Sequence, residues 1–240
     1  MIVAPPRGYV LWEGASLIDG GPIVVVVTLE SANTKTGRMA QVWILRADCD
    51  PVEAIKRGLD VSVCGDCQHR GGEGGEGRTC YVNLGQAPLA VFRGWQRGIY
   101  PRARGSRWAK GREVRWGAYG DPASFPLSVA RPIFAVAEGH TGYTHRWRDV
   151  GSEWRGKLQA SCDSAAEAME AAMLGWATFL VQPRGAEAPD RHAFPGFPAI
   201  ECMADSKGLQ CVDCLICDGL RAHVWIEAHG TAAGRFGVAR

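Results

Sequence analysis

Four cysteines crowd into sixteen residues near the C-terminus of this 240-residue chain, in the pattern C-x8-C-x2-C-x2-C. They are Cys202, Cys211, Cys214 and Cys217. Cysteines at successive x2 intervals are typical of the segment that binds a [4Fe–4S] cluster, and Cys202 would provide the fourth thiolate from upstream. A tetrahedral zinc site more often uses two separated C-x2-C pairs, and this segment lacks the second pair. We therefore predict a metal centre within residues 200–219 and favour iron–sulfur over zinc, with uncoordinated thiols as a third alternative.

A second cysteine group occupies residues 60–82 and has the pattern C-x2-C-x12-C-Y. Its members are Cys64, Cys67 and Cys80, and a loop rich in glycine and glutamate separates the last two. Three clustered thiols suit either an iron–sulfur cluster or a zinc ion, which needs a fourth ligand. His69 and Cys49 are the candidates for that ligand, and His69 is preferred because a predicted helix separates Cys49 from the group. The sequence leaves the choice of metal at this loop open.

Composition argues against a secreted, disulfide-bonded protein. The nine cysteines are odd in number and clustered, whereas a disulfide framework spreads an even set along the chain. The first residues lack the pattern of a signal peptide, and the longest apolar run, Pro22 to Leu29, is too short to cross a membrane. With 46% hydrophobic and 22% charged residues, we expect a single α/β domain over residues 1–240, in a reducing cytoplasm and without membrane association. The sequence leaves the oligomeric state open.

Charge is nearly balanced overall but uneven along the chain. The net charge of +2 gives no general attraction to nucleic acid, yet the stretch from Arg93 to Arg115 carries eight basic residues against one acid, Glu113. Aromatic residues interleave with these cations, namely Trp95, Tyr100, Trp108 and Trp116. The stretch is typical of a segment that is half solvated and half packed on the core. Alternatively, it predicts contact with nucleic acid or another anion.

Hydrophobic patterning predicts an α/β fold with a mostly parallel sheet or an incomplete (βα) barrel, from which cysteine-rich metal-binding loops project. The clearest unit is strand–helix–strand over residues 157–181, where Ser164 and Glu167 form a capping box at the start of the helix. Predicted helices cover residues 51–58, 87–97, 128–138 and 165–174. Predicted strands cover residues 22–29, 41–46, 113–122, 142–147, 157–162, 176–181, 199–203 and 223–229.

Polar residues fall at the carboxyl ends of several predicted strands. Gly120 and Asp121 end one strand, His145 ends the next, and Asp163 and Cys202 follow two others. Ligands bind at this edge of parallel sheets and barrels, so we predict Gly120, Asp121 and His145 as cofactor-binding residues. The alternatives are a plain Asp-Pro turn, an ordinary hydrogen-bonded histidine and, for Asp163, an acid that stabilises a helix start.

These motifs together resemble small phage-associated, radical-SAM-like iron–sulfur proteins. The resemblance is carried by the cysteine triplet ending in Cys80-Tyr81, the Gly-Asp-Pro turn at 120–122, the segment from Thr141 to Trp147 (TGYTHRW) and the late cysteine cluster. It covers roughly residues 40 to 230. In such families the first cluster is usually held by C-x3-C-x2-C, and the spacing here is C-x2-C-x12-C.

The resemblance implies an α/β partial barrel with one or two [4Fe–4S] clusters. Cys64, Cys67 and Cys80 would hold the first, leaving one iron open to S-adenosylmethionine, and the late cysteine group would hold an auxiliary cluster. The implied activity is reductive cleavage of S-adenosylmethionine, with a substrate that the sequence does not identify. The alternative is a non-catalytic zinc protein that contacts nucleic acid or a protein partner through residues 93–116, and a third possibility is an electron-transfer or purely structural metal protein.

Overall fold

An open sheet of nine strands organises the protein, whose computed structural model describes residues 5–229 and 233–236. The strands are β1 Gly8–Ala15, β2 Pro22–Thr28, β3 Ala40–Arg46, β4 Glu113–Tyr119, β5 Gly139–Thr144, β6 Gln159–Cys162, β7 Thr178–Gln182, β8 Ala199–Glu201 and β9 His223–Glu227. Their order is β1-β2-β3-β4-β5-β6-β7-β9-β8. The first two pairings are antiparallel and the other six are parallel. The predicted α/β class with a mostly parallel sheet is confirmed, and the sheet does not close.

Short helices lie in the connections between the strands. They are α1 Pro51–Lys56, α2 Val61–Cys64, α3 Ala87–Gln96, α4 Leu127–Phe134, α5 Ala165–Met173, α6 Met203–Ser206 and α7 Cys211–Cys214. The first three all lie between β3 and β4, so this long connection contains the first cysteine group. Within the described ranges, every helix is too short or too polar to traverse a lipid bilayer.

Local sequence chemistry explains the best-predicted elements. The aliphatic run of β2 is fully buried from Ile23 to Val27, as expected for a strand covered on both faces. Asp50 caps α1 by accepting hydrogen bonds from two backbone N–H groups of the first turn. Ser164 caps α5 by accepting from the Glu167 N–H at 3.2 Å, while the Glu167 carboxylate accepts from the Asp163 N–H at 2.8 Å. The predicted capping interaction is confirmed. The Glu167 carboxylate accepts from the residue before the cap, Asp163, rather than from Ser164.

Several element boundaries differ from the predictions. The strand β1 was not predicted, and it adds an antiparallel edge beside β2. The predicted helix at 128–138 begins at Leu127 and ends at Phe134, because the residues after Phe134 turn back toward β5. The predicted strand at 142–147 begins three residues earlier and ends at Thr144, which leaves His145 immediately after the strand.

A bulge in β4 brings three of its residues to one face of the sheet. Gln41 pairs with Arg115 and Trp43 with Tyr119, so β4 contains two residues more than β3 in this interval. Gly117 lies within the bulge at φ +70°, and a Cβ there would be 2.7 Å from the carbonyl oxygen of Gly120. Glycine therefore suits this position, where L side chains are disfavoured. Arg115, Gly117 and Tyr119 all line the cavity described next.

Candidate metal centre and its cavity

A cavity of about 220 Å³ lies against the parallel part of the sheet. A cavity of about 150 Å³ holds a benzene molecule, so this one has room for a small organic ligand. Five parallel strands each contribute a lining residue, namely Tyr119, Tyr143, Ser161, Phe179 and Ile226. The predicted residues Gly120, Asp121 and His145 also line this cavity.

The first cysteine group forms part of the cavity wall. Cys64 ends α2, and the Cys67 N–H donates to its carbonyl oxygen at 3.3 Å. The Cys80 N–H donates to the carbonyl oxygen of His69 at 2.9 Å, which brings Cys80 back to the group across the glycine-rich loop. Sequence spacing predicted this group, and the loop closure places all three thiols on the same cavity.

These thiols influence one another electrostatically. Burial raises the pKa of Cys64 well above its usual value, and the charges that Cys67 and Cys80 would carry raise it further. Burial likewise raises the pKa of Cys80. Neighbouring thiolates in this position are therefore unfavourable without a cation, and a bound metal deprotonates its thiol ligands outright. The donor set fits a metal centre on this physical ground.

Two imidazoles and a carboxylate meet beside the first cysteine group. Asp163 follows β6 and is buried, with 4% of its side chain exposed. Its carboxylate lies 2.7 Å from Nε2 of His69 and 3.4 Å from Nε2 of His145. One ligand atom from each of the three residues lies within 4.8 Å of the others, so they have the spacing of a two-histidine, one-carboxylate metal site.

The charges in this cluster stabilise one another. Burial alone would raise the pKa of Asp163, but its hydrogen bonds with His145 and His69 hold the pKa well below the usual range. Burial alone would lower the pKa of His145, but the neighbouring Cys67 and Asp163 raise it well above its usual value. The sequence identified His145 and Asp163 separately as residues at strand ends, and the fold brings them together.

The structure revises which imidazole faces the thiols. The sequence favoured His69 as a fourth ligand, but both of its ring nitrogens are engaged, Nδ1 with the Thr79 hydroxyl at 2.7 Å and Nε2 with Asp163. His145 instead places Nε2 at 3.7 Å from the Cys67 sulfur. Cys49, the other candidate, has Asp48 among its closest charged neighbours.

Gly120 and Asp121 fix the strand ends around the cavity. Gly120 has φ +80°, and a Cβ there would be 2.7 Å from Cβ of Ile44. The buried carboxylate of Asp121 accepts hydrogen bonds from the Ala123 N–H, the Thr144 hydroxyl and the His145 N–H, all at 2.9–3.0 Å. Asp121 thereby ties the end of β4 to the end of β5 and holds the backbone that carries His145. Its observed role is positioning, and its cofactor-binding role stays a prediction.

We expect Asp121→Asn to lower the free energy of unfolding by roughly 1–3 kcal/mol, because a buried donor loses its acceptor whichever way the amide is oriented. Urea unfolding followed by tryptophan fluorescence measures the change. Asp213→Asn, at an exposed position, is the matched control and should unfold like the wild type. An unchanged unfolding midpoint in Asp121→Asn would contradict this positioning role.

The second cysteine group lies on the same cavity through two of its members. Cys202 follows β8, and its N–H donates to the Trp225 carbonyl oxygen at 2.8 Å. Cys211 begins α7, and its N–H donates to the Lys35 carbonyl oxygen at 2.9 Å. Both thiols line the cavity. Cys217 is buried in a small apolar cluster, and its carbonyl oxygen accepts from the Gly142 N–H at 3.2 Å.

Burial affects two thiols of this group. Burial raises the pKa of Cys211, and the charges of Cys202 and Cys214 add to the effect. Burial raises the pKa of Cys217 as well, with further contributions from Cys202 and Cys211. Between Cys214 and Cys217 the chain turns through Leu215, which has φ +49° although it is not glycine. A leucine in this conformation costs roughly 1–2 kcal/mol, so the surrounding structure must hold the turn.

In neither cysteine group do three described thiols lie as close together as the ligands of a single zinc ion. Among the described residues, no three thiol sulfurs lie within 4.8 Å of one another. A tetrahedral zinc ion with Zn–S bonds of about 2.3 Å sets its thiolates about 3.8 Å apart. A polynuclear cluster binds its thiolates to different iron atoms and therefore holds them farther apart.

The aromatic residues of the Arg93–Arg115 stretch pack against the protein. Trp116 is fully buried, and the Trp95 indole N–H donates to the Glu13 carboxylate at 2.7 Å. Trp108 packs beside Tyr9 at a ring distance of 6.4 Å. The exposed members are chiefly basic residues, namely Arg93, Arg97, Arg102, Arg104, Arg107 and Lys110. The expected packed face is present, and contact with an anionic partner stays a prediction.

Sequence reasoning missed three cavity residues that the fold makes prominent. Arg115 and Tyr143 line the cavity from neighbouring strands, and Tyr119 is the last residue of β4. The Tyr119 hydroxyl is buried and has no hydrogen-bond partner among the described residues. A period of two along β4 was the available signal, because Arg115, Gly117 and Tyr119 share one face.

Comparison with protein-family models, with curated proteins and with solved structures finds no match to this chain. The resemblance to radical-SAM-like proteins therefore stays a prediction that rests on short motifs. A functional assignment has to come from the residues and their geometry.

Proposed function

We propose that this chain is an iron–sulfur protein with radical-SAM-like activity, the reductive cleavage of S-adenosylmethionine. Cys64, Cys67 and Cys80 would hold a [4Fe–4S] cluster at the cavity wall. The thiols of Cys202, Cys211, Cys214 and Cys217 would hold a second cluster. When bound, the first cluster and S-adenosylmethionine would supply the electron and the radical chemistry.

The thiol spacing carries this proposal. Three thiols of the first group and two of the second line one cavity, yet no three described sulfurs lie within 4.8 Å of one another. A single zinc ion needs closer ligands, at about 3.8 Å. An iron–sulfur cluster accommodates the wider arrangement.

The cavity beside the first group supports a catalytic site over a purely structural one. Three thiols leave one position of a four-iron cluster without a cysteine, and catalytic metal sites keep such an open position. The residues around it have definable tasks. Asp121 fixes the backbone of His145, Asp163 orients His69 and His145, and Tyr119 presents a free hydroxyl. Five strands that line one cavity also favour the incomplete (βα) barrel.

A zinc protein is the second candidate, and one distance favours it. The Cys67 sulfur lies 3.7 Å from Nε2 of His145. Zinc bonds of about 2.3 Å to sulfur and 2.0–2.1 Å to nitrogen in a tetrahedron predict about 3.6 Å for this pair. In this candidate, His145 closes a structural site with the three thiols, and the exposed arginines of residues 93–112 contact nucleic acid or a protein partner.

Anaerobic purification followed by metal analysis separates the two candidates. We expect a brown protein with about eight iron atoms per chain when both clusters are filled. After reduction with dithionite, it should convert S-adenosylmethionine to 5′-deoxyadenosine, even slowly and without substrate. A colourless protein that contains zinc and loses it in His145→Ala would replace this proposal with the zinc candidate. Iron and sulfide without any cleavage would leave an electron-transfer or structural protein.

A further inference from the structure

Arg115 is a buried cation in the cavity wall. It lies in β4 with 8% of its surface exposed. Its Nη2 donates to the Tyr81 hydroxyl at 3.0 Å, and its guanidinium carbon lies 5.5 Å from the centre of the Tyr143 ring. An arginine guanidinium is not deprotonated in proteins, so Arg115 keeps its charge. Among the side chains that the structure describes, no carboxylate forms an ion pair with it.

A buried guanidinium with this environment lacks a compensating negative charge. It offers five N–H donors, whereas phenol hydroxyls are neutral and satisfy only part of that capacity. Removing a charge from water without an opposite charge is strongly unfavourable. Glu113, two residues earlier in β4, is already paired with Arg38. The negative charge that balances Arg115 must therefore come from a group outside the described side chains or from thiolates.

The cavity gives such a partner a defined place. Arg115 and Tyr119 both line it from β4, and Gly117 between them has no side chain to fill the space. The hydroxyl of Tyr119 has no hydrogen-bond partner among the described residues. It lies near the first cysteine group, where burial and the charges that Cys64 and Cys80 would carry raise its pKa. Arg115 lies near the second cysteine group, beside Cys211. Lys35 adds a second cationic side chain to the lining.

We propose that the cavity binds a small molecule bearing a carboxylate or phosphate, with Arg115 as its anion-binding residue between the two cysteine groups. A planar guanidinium suits both anions because it can donate two parallel hydrogen bonds. Tyr81 and Tyr143 position the guanidinium, and the body of the ligand extends over Gly117 toward Tyr119. This inference deepens the proposed function, since the anion would belong to the reacting molecule, but anion binding itself requires no cleavage chemistry.

Isothermal titration of the full-length, anaerobically purified protein with inorganic phosphate and with malonate tests the inference. At constant ionic strength, the wild type should bind at least one of these probes. Arg115→Met should weaken that binding at least tenfold, and Arg115→Lys should retain part of it because the charge is kept. Arg104→Met removes an exposed arginine of the same stretch and should bind like the wild type. Tyr81→Phe keeps the charge of Arg115 but removes the hydroxyl that accepts its hydrogen bond, so we expect a smaller loss of anion binding. This variant tests the inference even if Arg115→Met does not fold.

Absence of binding by the wild type, or equal binding by Arg115→Met, would overturn the inference. A loss of iron in Arg115→Met without any anion binding in the wild type would assign the missing charge to the thiolates of the second group instead. Neither result bears on S-adenosylmethionine cleavage, which is measured separately. Conversely, a zinc-containing protein that binds phosphate through Arg115 would keep the anion site and reject the iron–sulfur proposal.

Discussion

Cys64→Ser should remove the first cluster and abolish the cleavage of S-adenosylmethionine. Serine is a poor ligand for iron in a thiolate site, and two remaining cysteines do not hold a four-iron cluster. The iron content is therefore expected to fall from about eight to about four atoms per chain, with 5′-deoxyadenosine below detection. Iron analysis and chromatography of the reaction mixture measure the two effects. The fold should survive, because Cys64 ends the short helix α2 and its sulfur faces the cavity.

Cys49→Ser is the matched control for this experiment. Cys49 is a partly buried cysteine whose charged neighbours are Asp48, Arg46 and Arg57, away from both cysteine groups. Its iron content and cleavage activity should equal those of the wild type. If Cys64→Ser kept its iron and its activity, the assignment of the first cluster to Cys64, Cys67 and Cys80 would be wrong. Equal losses in both variants would indicate a general effect of thiol removal.

Much of the sheet was predictable because its strands have strong local signals. The aliphatic run of β2 and the capped helix α5 between β6 and β7 were predicted within a few residues. Parallel pairing followed from strand–helix–strand connections, which geometry requires to be parallel. The strand β1 was missed because its sequence alternates only loosely between buried and exposed residues. Its antiparallel pairing with β2 depends on tertiary contacts that local patterning does not encode.

The two cysteine groups were predictable from the sequence, whereas their surroundings were not. Cysteine spacing is a local property, so both groups appear in the sequence itself. The contact between His69 and Asp163 joins residues 94 positions apart and depends on the tertiary fold. Arg115 belongs to a run of eight basic residues in the sequence, and only its place in β4 distinguishes it from its exposed neighbours. Burial separates a binding cation from a solvated one, and burial is a property of the fold.

Cys214→Ser should destabilise the C-terminal segment much more than an ordinary surface substitution. The segment around α7 has a small apolar core, in which Cys217 packs with Ala222 and Val224. It also contains the unfavourable left-handed turn at Leu215. A metal centre would hold this segment, and structural zinc sites contribute apparent binding free energies of about 10–16 kcal/mol. Since whole domains are stable by only about 5–15 kcal/mol, loss of the centre should leave the protein partly unfolded or insoluble.

Limited proteolysis measures this effect together with metal content. In Cys214→Ser, cleavage should become rapid within residues 203–222 while iron falls to about four atoms per chain, which is one [4Fe–4S] cluster. Cys49→Ser should resist cleavage like the wild type, since it removes a thiol outside both groups. A chelator that strips iron from the wild type should also make cleavage rapid within residues 203–222, because it removes this cross-link together with the first cluster. If instead Cys214→Ser kept its metal and its resistance to protease, the second group would not be a structural metal centre, and its local contacts alone would hold the turn at Leu215.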